Sequence, residues 1–318
     1  MKKINIITPF RKGGPWYWGA SLAHFINKSS DEFKAQHIYK LSDIIFSPFW
    51  AGADIVQSVN PIVYRLWRKP YILTIKGNFY LEKDNPFSRL YPKAIKEATV
   101  VVVPSEYLRK ELKLRNAKVI PDAVDLRKYR IYKRQVENKK QLIILTVTKF
   151  YFQDKAMGII KILEALDRVA KETDKQIKYI VLGGGKYLDE VKEKAAKYKV
   201  KACFEGFQNP APYLKKADVF AYYSEHDNMP NSVMEAMACG LPIIVNRVGA
   251  IPEMIQNKKS GYICSNNNEF YLKLKILIDK PEERQRLGKG ARERTEKIYN
   301  WDTIVKEWLK LYDEIIRG

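Results

Sequence analysis

Ser224-Glu225-His226-Asp227-Asn228-Met229-Pro230-Asn231-Ser232-Val233-Met234-Glu235-Ala236-Met237-Ala238-Cys239-Gly240-Leu241-Pro242 is the most informative stretch of this 318-residue chain. It follows an apolar run, Val219–Ala221, and passes through a polar loop into a helical pattern that Gly240 ends. Pro230 stands at or just before the first turn, where its missing N–H costs nothing. The first amides of such a helix, those of Asn231 and Ser232, lack intrahelical acceptors and suit an anion. Glu235, about one turn in, can accept both hydroxyls of a ribose, and Asp227, eight residues earlier, can contact a sugar hydroxyl. The same residues also read as a capped helix with solvent-exposed acids. Taken alone, they leave that alternative open.

Working outward, strand–loop–helix units recur on both sides. Ile4–Pro9 predicts a strand, followed by a Gly13-Gly14 loop and a helix through Leu22–Ile26. Further strands are expected at Ile55-Val56, Tyr71–Thr74 and Val100–Val103. Ser105 then caps a helix reaching Leu114, with Leu108 and Leu112 as its apolar stripe. The charged segment Leu126–Lys140 reads as a linker, after which the pattern restarts. Strands follow at Leu142–Val147, Tyr179–Leu182, Ala202–Phe204, Val219–Ala221, Ile243–Val245 and Tyr262–Cys264, with helices at Gly158–Ala170, Leu188–Lys197 and Asn231–Ala238. Runs apolar throughout suit parallel strands covered on both faces.

The expected fold is therefore α/β, with two Rossmann-like doubly wound domains at 1–130 and 142–300 joined by a linker at 131–141. Residues 301–318 form a closing helix, with Ile304, Trp308, Leu309, Tyr312 and Ile315 at helical spacing.

Composition narrows the partners. Hydrophobic residues at 46% and charged residues at 29% exclude general disorder. No apolar run approaches the ~18 residues of a spanning helix, and the short N-terminal run cut by Arg11-Lys12 does not read as a signal peptide. Three cysteines without CxxC spacing suggest neither a disulfide framework nor a zinc site. A soluble intracellular protein is expected. The formal charge is +21, and residues 1–130 hold 23 Lys+Arg against 11 Asp+Glu, concentrated at Tyr64–Lys69 and Arg109–Arg115. Such a surface favours nucleic acid, a phospholipid face or phosphate-bearing substrates, or simply keeps the chain soluble. No helix-turn-helix, zinc-finger spacing or RNP-like strand supports nucleic acid. Gly183-Gly184-Gly185-Lys186 is followed by Tyr187 and is no P-loop. No D-x-D stands at a strand end, and Met229, Met234 and Met237 read as packing residues.

The Asp227–Pro242 segment resembles the E-x7-E signature of retaining GT-B glycosyltransferases of family 4, with Asp227 at the first acidic position and E-A-M-A-C-G-x-P following. Thr148-Lys149 with Lys155 is similar to the family's G-R…K-G motif for the donor diphosphate, with Lys149 replacing Arg and Ala156 replacing Gly. A Lys keeps the charge and loses the bidentate fork. Tyr179–Gly185 resembles the strand and G-x-G loop under the nucleotide, and Phe204-Glu205-Gly206-Phe207 the F-x-G turn at the base. Ile120-Pro121-Asp122-Ala123-Val124-Asp125 resembles I-P-N-G-V-D, and Tyr299-Asn300-Trp301 the F-S-W before a helix that crosses back to the first domain. Gly13-Gly14 matches the family's glycine loop, and Thr74-Ile75-Lys76-Gly77 its T-x-H-G, with Lys76 in place of His.

The resemblance implies a metal-independent, retaining transfer of a sugar from a nucleotide-diphosphate sugar to a glycan, lipid-linked or other hydroxyl acceptor, with no cofactor. The implied site comprises Asp227, Glu235, Lys149, Lys155 and Lys76, with Gly13, Gly14, Gly183, Gly206, Phe207, Met229, Pro230, Asn231 and Ser232 around the donor. Family relatives often meet membrane-held acceptors, so residues 64–69 and 105–118 are expected to dock on an anionic bilayer at the inner face of the cell membrane. Alternatives are a GT-B protein that binds without turnover, a phosphorolytic relative, and, remotely, a basic nucleic-acid binder.

Overall fold

The structure, a computed structural model, describes residues 1–9, 13–40, 52–65, 70–81, 87–131 and 139–318. The chain divides into two compact units, residues 1–123 with 300–318, and residues 124–299. The first unit contains β1 (Lys2–Ile7), α1 (Gly14–Ser29), β2 (Phe33–Ile38), β3 (Ile55–Ser58), β4 (Tyr71–Thr74), α2 (Tyr91–Glu97), β5 (Val100–Val103), α3 (Glu106–Glu111) and β6 (Lys118–Val119). The second contains β7 (Gln141–Val147), α4 (Gln153–Val169), β8 (Gln176–Leu182), α5 (Leu188–Ala195), β9 (Ala202–Phe204), α6 (Ala211–Lys216), β10 (Val219–Tyr222) and α7 (Asn231–Ala238). It continues through β11 (Ile243–Asn246), α8 (Ile251–Met254), β12 (Tyr262–Cys264), α9 (Asn267–Asp279) and α10 (Pro281–Ile298). The last helix, α11 (Trp301–Arg317), belongs to the first unit.

Each unit is built on a six-stranded sheet whose paired strands all run parallel. The first has the order β2-β1-β3-β4-β5-β6 and the second β12-β11-β10-β7-β8-β9. Both orders reverse once, between β1 and β3 in the first sheet and between β7 and β10 in the second. At such a switch point neighbouring loops leave in opposite directions and open a crevice at the strands' carboxyl ends. The apolar runs mark the central strands: every residue of β4 and of β10 is buried, as a parallel sheet covered by helices on both faces requires.

The closing helix α11 is part of the first unit's core. Its Trp308 ring meets Trp18 of α1 at 5.8 Å, and Trp301 stacks on Phe25 at 5.5 Å. Asn300 caps α11 by accepting the Thr303 amide at 2.9 Å. The Tyr312 hydroxyl donates to the Gln57 side chain, whose amide donates in turn to Thr74 at 2.9 Å. The helix thus satisfies a buried polar chain across β3 and β4 as well as burying apolar surface.

Several boundaries differ from the sequence reading. Val124–Arg130, placed with the first domain, lies in the second unit, where the Val124 amide donates to the Tyr299 carbonyl at 2.8 Å and Tyr129 is buried. The linker expected at 131–141 falls largely on residues 132–138, outside the described residues. The helix after Ser105 stops at Glu111, and Lys113 takes φ +54 just beyond it. Ser105 caps it as expected, accepting the Leu108 amide at 3.1 Å. Its apolar stripe, Leu108 and Leu112, is buried in the core of the first unit and does not face outward as a membrane-inserting helix would. The other basic stretch, Tyr64–Lys69, lies outside the described residues from Leu66 to Lys69. No helix among the described residues is long and apolar enough to cross a membrane.

Truncation of Trp308, which is fully buried, removes the largest contact holding α11. Trp308→Ala is expected to destabilise the first unit by about 3–5 kcal/mol, read as a lowered urea midpoint. A loss below about 1 kcal/mol would show that α11 is not integral to that core.

Candidate active site

The second sheet's switch point collects the charged residues singled out in the sequence. Thr148 and Lys149 follow β7, Lys155 stands in the first turn of α4, and the loop Ser224–Pro230 connects β10 to α7. Two backbones approach closely enough to require glycine. A Cβ on Gly158 of α4 would fall 1.8 Å from the Tyr223 carbonyl oxygen. Gly183 has φ +131, and a Cβ there would fall 1.7 Å from the Thr148 carbonyl oxygen. The Gly183 amide also donates to the Gly206 carbonyl at 2.7 Å, and the Phe150 amide to the Gly184 carbonyl at 3.0 Å. The loops after β7, β8 and β9 are thereby locked together. Phe207 is left exposed beside them, its ring 6.3 Å from that of Tyr151.

Asp227 is the hub. Its carboxylate accepts from the Lys155 ammonium at 2.7 Å, from the Tyr222 hydroxyl, and from the Asn228 amide at 2.8 Å. Burial, followed by the neighbouring Asp227 charge, pushes the Tyr222 hydroxyl well above the usual tyrosine range, so it stays a proton donor. Lys149 is drawn below the usual lysine range first by burial and then by the Lys155 charge, while Asp227 opposes both. The next residue back, His226, pairs with Asp154 of α4 through Nδ1 at 2.7 Å. Adjacent loop residues therefore grip adjacent residues of the α4 first turn. Asn246 at the end of β11 fixes the other side of the loop, accepting the Ser224 amide at 3.0 Å and donating to its carbonyl at 2.7 Å.

The loop delivers the chain into α7 as the sequence predicts. Pro230 is its N-cap, no side chain caps it, and its first turn carries no acid, which leaves an N-terminus of positive potential at Asn231 and Ser232. Met229 and Pro230 are buried beneath it. Glu235 retains part of its surface while most of its volume lies beneath neighbours, and burial pushes its carboxyl up to about 7 against a hydrogen bond from Tyr129 and the charge of Lys128. Arg292 of α10 donates to the carbonyls of Tyr129, at 3.0 Å, and Ala238, at 2.5 Å. It satisfies the C-terminal end of α7 and holds Tyr129 against it.

Tyr222, Tyr129 and Arg292 were not singled out from the sequence. Tyr222 falls just past the strand expected at Val219–Ala221, and the other two act across long sequence separations.

In the first unit, Gly13 is the extended N-cap of α1 and Gly14 its first residue. Lys76 follows β4, forms an ion pair with Asp122, and stands 3.8 Å above the centre of the Trp18 ring. Burial draws Lys76 below the usual lysine range, with Asp122 opposing. Two departures from the family pattern, Lys for His and Asp for Asn, are therefore each other's partners.

Two Rossmann-like sheets, one carrying two lysines and an uncapped helix N-terminus at its switch point, define a protein of the GT-B glycosyltransferase class. Residues 128–294 match the model of the family described as glycosyl transferases group 1, and the chain belongs to that family. It is 27% identical over 185 residues to N-acetyl-alpha-D-glucosaminyl L-malate synthase of Bacillus anthracis, covering 57% of this chain and 47% of that protein. The chain thus spans about half the length of that relative. Among solved structures it resembles sucrose-phosphate synthase from Thermosynechococcus elongatus, with a TM-score of 0.80, 16% identity and full coverage of both chains. It also resembles Anabaena Alr3699/HepE in complex with UDP, with a TM-score of 0.77, 15% identity, and coverage of 99% and 100%. At these identities the structural likeness is one of fold.

The raised Glu235 carboxyl has a measurable sign. The unfolded chain loses this proton near 4.5 and the native state near 7, so native Glu235 holds more protons between those values. Its contribution to stability is complete below 4.5 and is lost as pH rises through 7. Urea unfolding should show Glu235→Gln gaining on the wild type as pH is raised from 4.5 to 7.5. A difference independent of pH would contradict the assignment.

Proposed function

We propose that this chain transfers a sugar from a nucleotide-diphosphate sugar to a hydroxyl acceptor with retention of anomeric configuration. The observation that carries the reading is the pair Lys149 and Lys155 at the second sheet's switch point, with Lys155 anchored by Asp227 three residues ahead of the uncapped α7 N-terminus. Two cations and a helix N-terminus converge on the charge of a leaving diphosphate. They supply positive potential without requiring a metal ion. The anomeric C–O bond to the diphosphate breaks, the acceptor oxygen bonds to the anomeric carbon from the same face, and a donor phosphate oxygen takes the acceptor's proton.

Each residue has a physical role in this scheme. Glu235 accepts the ribose hydroxyls in its ionised form. Gly183, Gly206 and Phe207 face the nucleoside, and Met229 and Pro230 support the α7 terminus where Asn231 and Ser232 offer amides. Asp227 already holds three donors and acts mainly by orienting Lys155, with its remaining lone-pair capacity available to a sugar hydroxyl. UDP in the HepE complex supports a nucleoside diphosphate as the ligand class. A protein that binds without turnover, or a phosphorolytic one, is favoured only by the Lys76 and Asp227 departures, and donor hydrolysis measured without acceptor separates it from a transferase.

Lys155→Ala is expected to lower kcat by about 10²–10³; the substitution strands the largely buried Asp227 carboxylate, so the rate is measured well below the variant's own, lowered thermal midpoint. An unchanged kcat would overturn the reading.

The positive surface of the first unit is proposed to hold the protein on anionic lipid by charge alone, since the α3 apolar stripe is buried. Co-sedimentation with phosphatidylglycerol-containing vesicles should exceed that with pure phosphatidylcholine and fall with added salt. Equal binding to both would assign the charge to solubility.

A further inference from the structure

Glu235 is approached from outside its own helix by a short turn of the second unit. The Val124 amide donates to the Tyr299 carbonyl at 2.8 Å, and the Lys128 and Tyr129 amides close the turn on the Asp125 carbonyl at 3.1 and 3.0 Å. Arg292 of α10 clamps the end of the turn, donating to the carbonyls of Tyr129 and Ala238 while Glu296 meets its charge at 2.6 Å. Ala238 is the last residue of the helix that carries Glu235, so both sides of the contact are fixed by one guanidinium. Tyr129 is 4% exposed, and its hydroxyl donates to the Glu235 carboxyl. The backbone bonds have already ordered the turn, which presents the phenol with little further loss of freedom.

The direction of that hydrogen bond depends on one proton. A carboxylate only accepts, and its two oxygens have room for the Tyr129 hydroxyl and both hydroxyls of a ribose. A carboxylic acid uses one oxygen as a donor, and the phenol can turn to accept from it. The neutral acid then offers two ribose hydroxyls a single acceptor oxygen. Burial pushes the Glu235 carboxyl up to about 7, against the Tyr129 hydrogen bond and the charge of Lys128, an exposed residue whose Nζ lies 5.1 Å from the Tyr129 ring centre. The other charged groups nearby have partners of their own. Asp125 pairs with Arg127 in the turn, Arg130 donates to the Arg127 carbonyl, and Lys155 pairs with Asp227 ahead of α7. Of the strands packed on α7, β10 brings Tyr222, bonded to Asp227, and β11 has no ionisable side chain.

We infer that Tyr129 is the positioning residue for ribose recognition: its hydroxyl orients the Glu235 carboxyl and favours the ionised form that accepts both ribose hydroxyls, and protonation of Glu235 releases the ribose. The inference deepens the glycosyl-transfer reading and rests on it for the nucleotide. Since the ionised form is the one that binds, ribose recognition is complete well above pH 7 and is lost as pH falls through it. Removing the Tyr129 hydroxyl removes a bond to the charged form, so the loss then sets in at higher pH.

Calorimetric titration of the full chain with UDP, GDP and ADP, and with their 2′-deoxy counterparts, tests this across a pH range centred on 7. The diphosphate also titrates in this range, but equally in both forms, so the ratio of their affinities isolates the ribose. For the nucleotide that binds, the wild type should favour the ribo form about tenfold at high pH. That preference should be half lost near pH 7. The midpoint should rise by about one pH unit in Tyr129→Phe and by less in Lys128→Gln, whose charge acts without a hydrogen bond. In Glu235→Gln the ratio should not vary with pH. A purely structural role for Tyr129 would weaken both forms alike and leave the midpoint in place. The wild-type profile and Lys128→Gln leave the buried ring untouched, so they keep the test open should Tyr129→Phe fail to fold.

A wild-type ratio independent of pH, a preference for the deoxy form, or an unmoved midpoint in folded Tyr129→Phe would overturn the inference and spare the transfer reading. Failure of all three nucleotides to bind would defeat the transfer reading itself, and the ribose role with it.

Discussion

The charged core of the candidate site depends on one buried carboxylate. Asp227 joins the first turn of α4 through Lys155, the end of β10 through Tyr222, and its own loop through the Asn228 amide. Lys155 and Asp227 are both largely removed from solvent, with side chains 23% and 10% exposed. Removing one partner of such a pair strands the other charge, so the pair fixes geometry more than it adds stability. An aspartate is short enough to remain folded onto Tyr222. That geometry holds Lys155 beside Lys149 and sets the start of α7.

The two units use the same architectural device for different chemistry. In the second, the switch point carries uncompensated positive charge, two lysines and a helix N-terminus against one carboxylate. In the first, the corresponding crevice is lined by prolines and aromatic rings, and its single lysine is neutralised by Asp122. The two crevices therefore differ in local charge balance. The formal +21 of the chain contributes little to either, because only a few lysines reach the crevices.

Much of this was legible in the sequence where the signal was local. The helix Asn231–Ala238 and the Ser105 cap were read correctly because proline, glycine and serine act within one turn. Lys149, Lys155 and Asp227 were singled out through their resemblance to family motifs; Lys149 and Asp227 stand in loops after buried strands and Lys155 in the first turn of α4. Contacts made across the chain were not legible. Nothing in Ile120-Pro121-Asp122 announces Lys76 as its partner, and Arg292, in a strongly charged helix, gives no sign that it reaches Tyr129 and Ala238. Strand β2 escaped because Phe33–Ile38 alternates buried and exposed residues, the mark of a sheet edge, whereas the strands recognised were mostly apolar runs. The start of the charged segment Leu126–Lys140, read as a linker, is instead tied down by Tyr129, which hydrogen-bonds Glu235.

Backbone amide shift mapping during titration with UDP, GDP or ADP tests the central claim most directly. With the nucleotide that binds, the account predicts the largest shifts at Asn231 and Ser232, with accompanying shifts at Gly183, Gly206 and Phe207. Saturable nucleotide binding that leaves the Asn231 and Ser232 amides unmoved would contradict it.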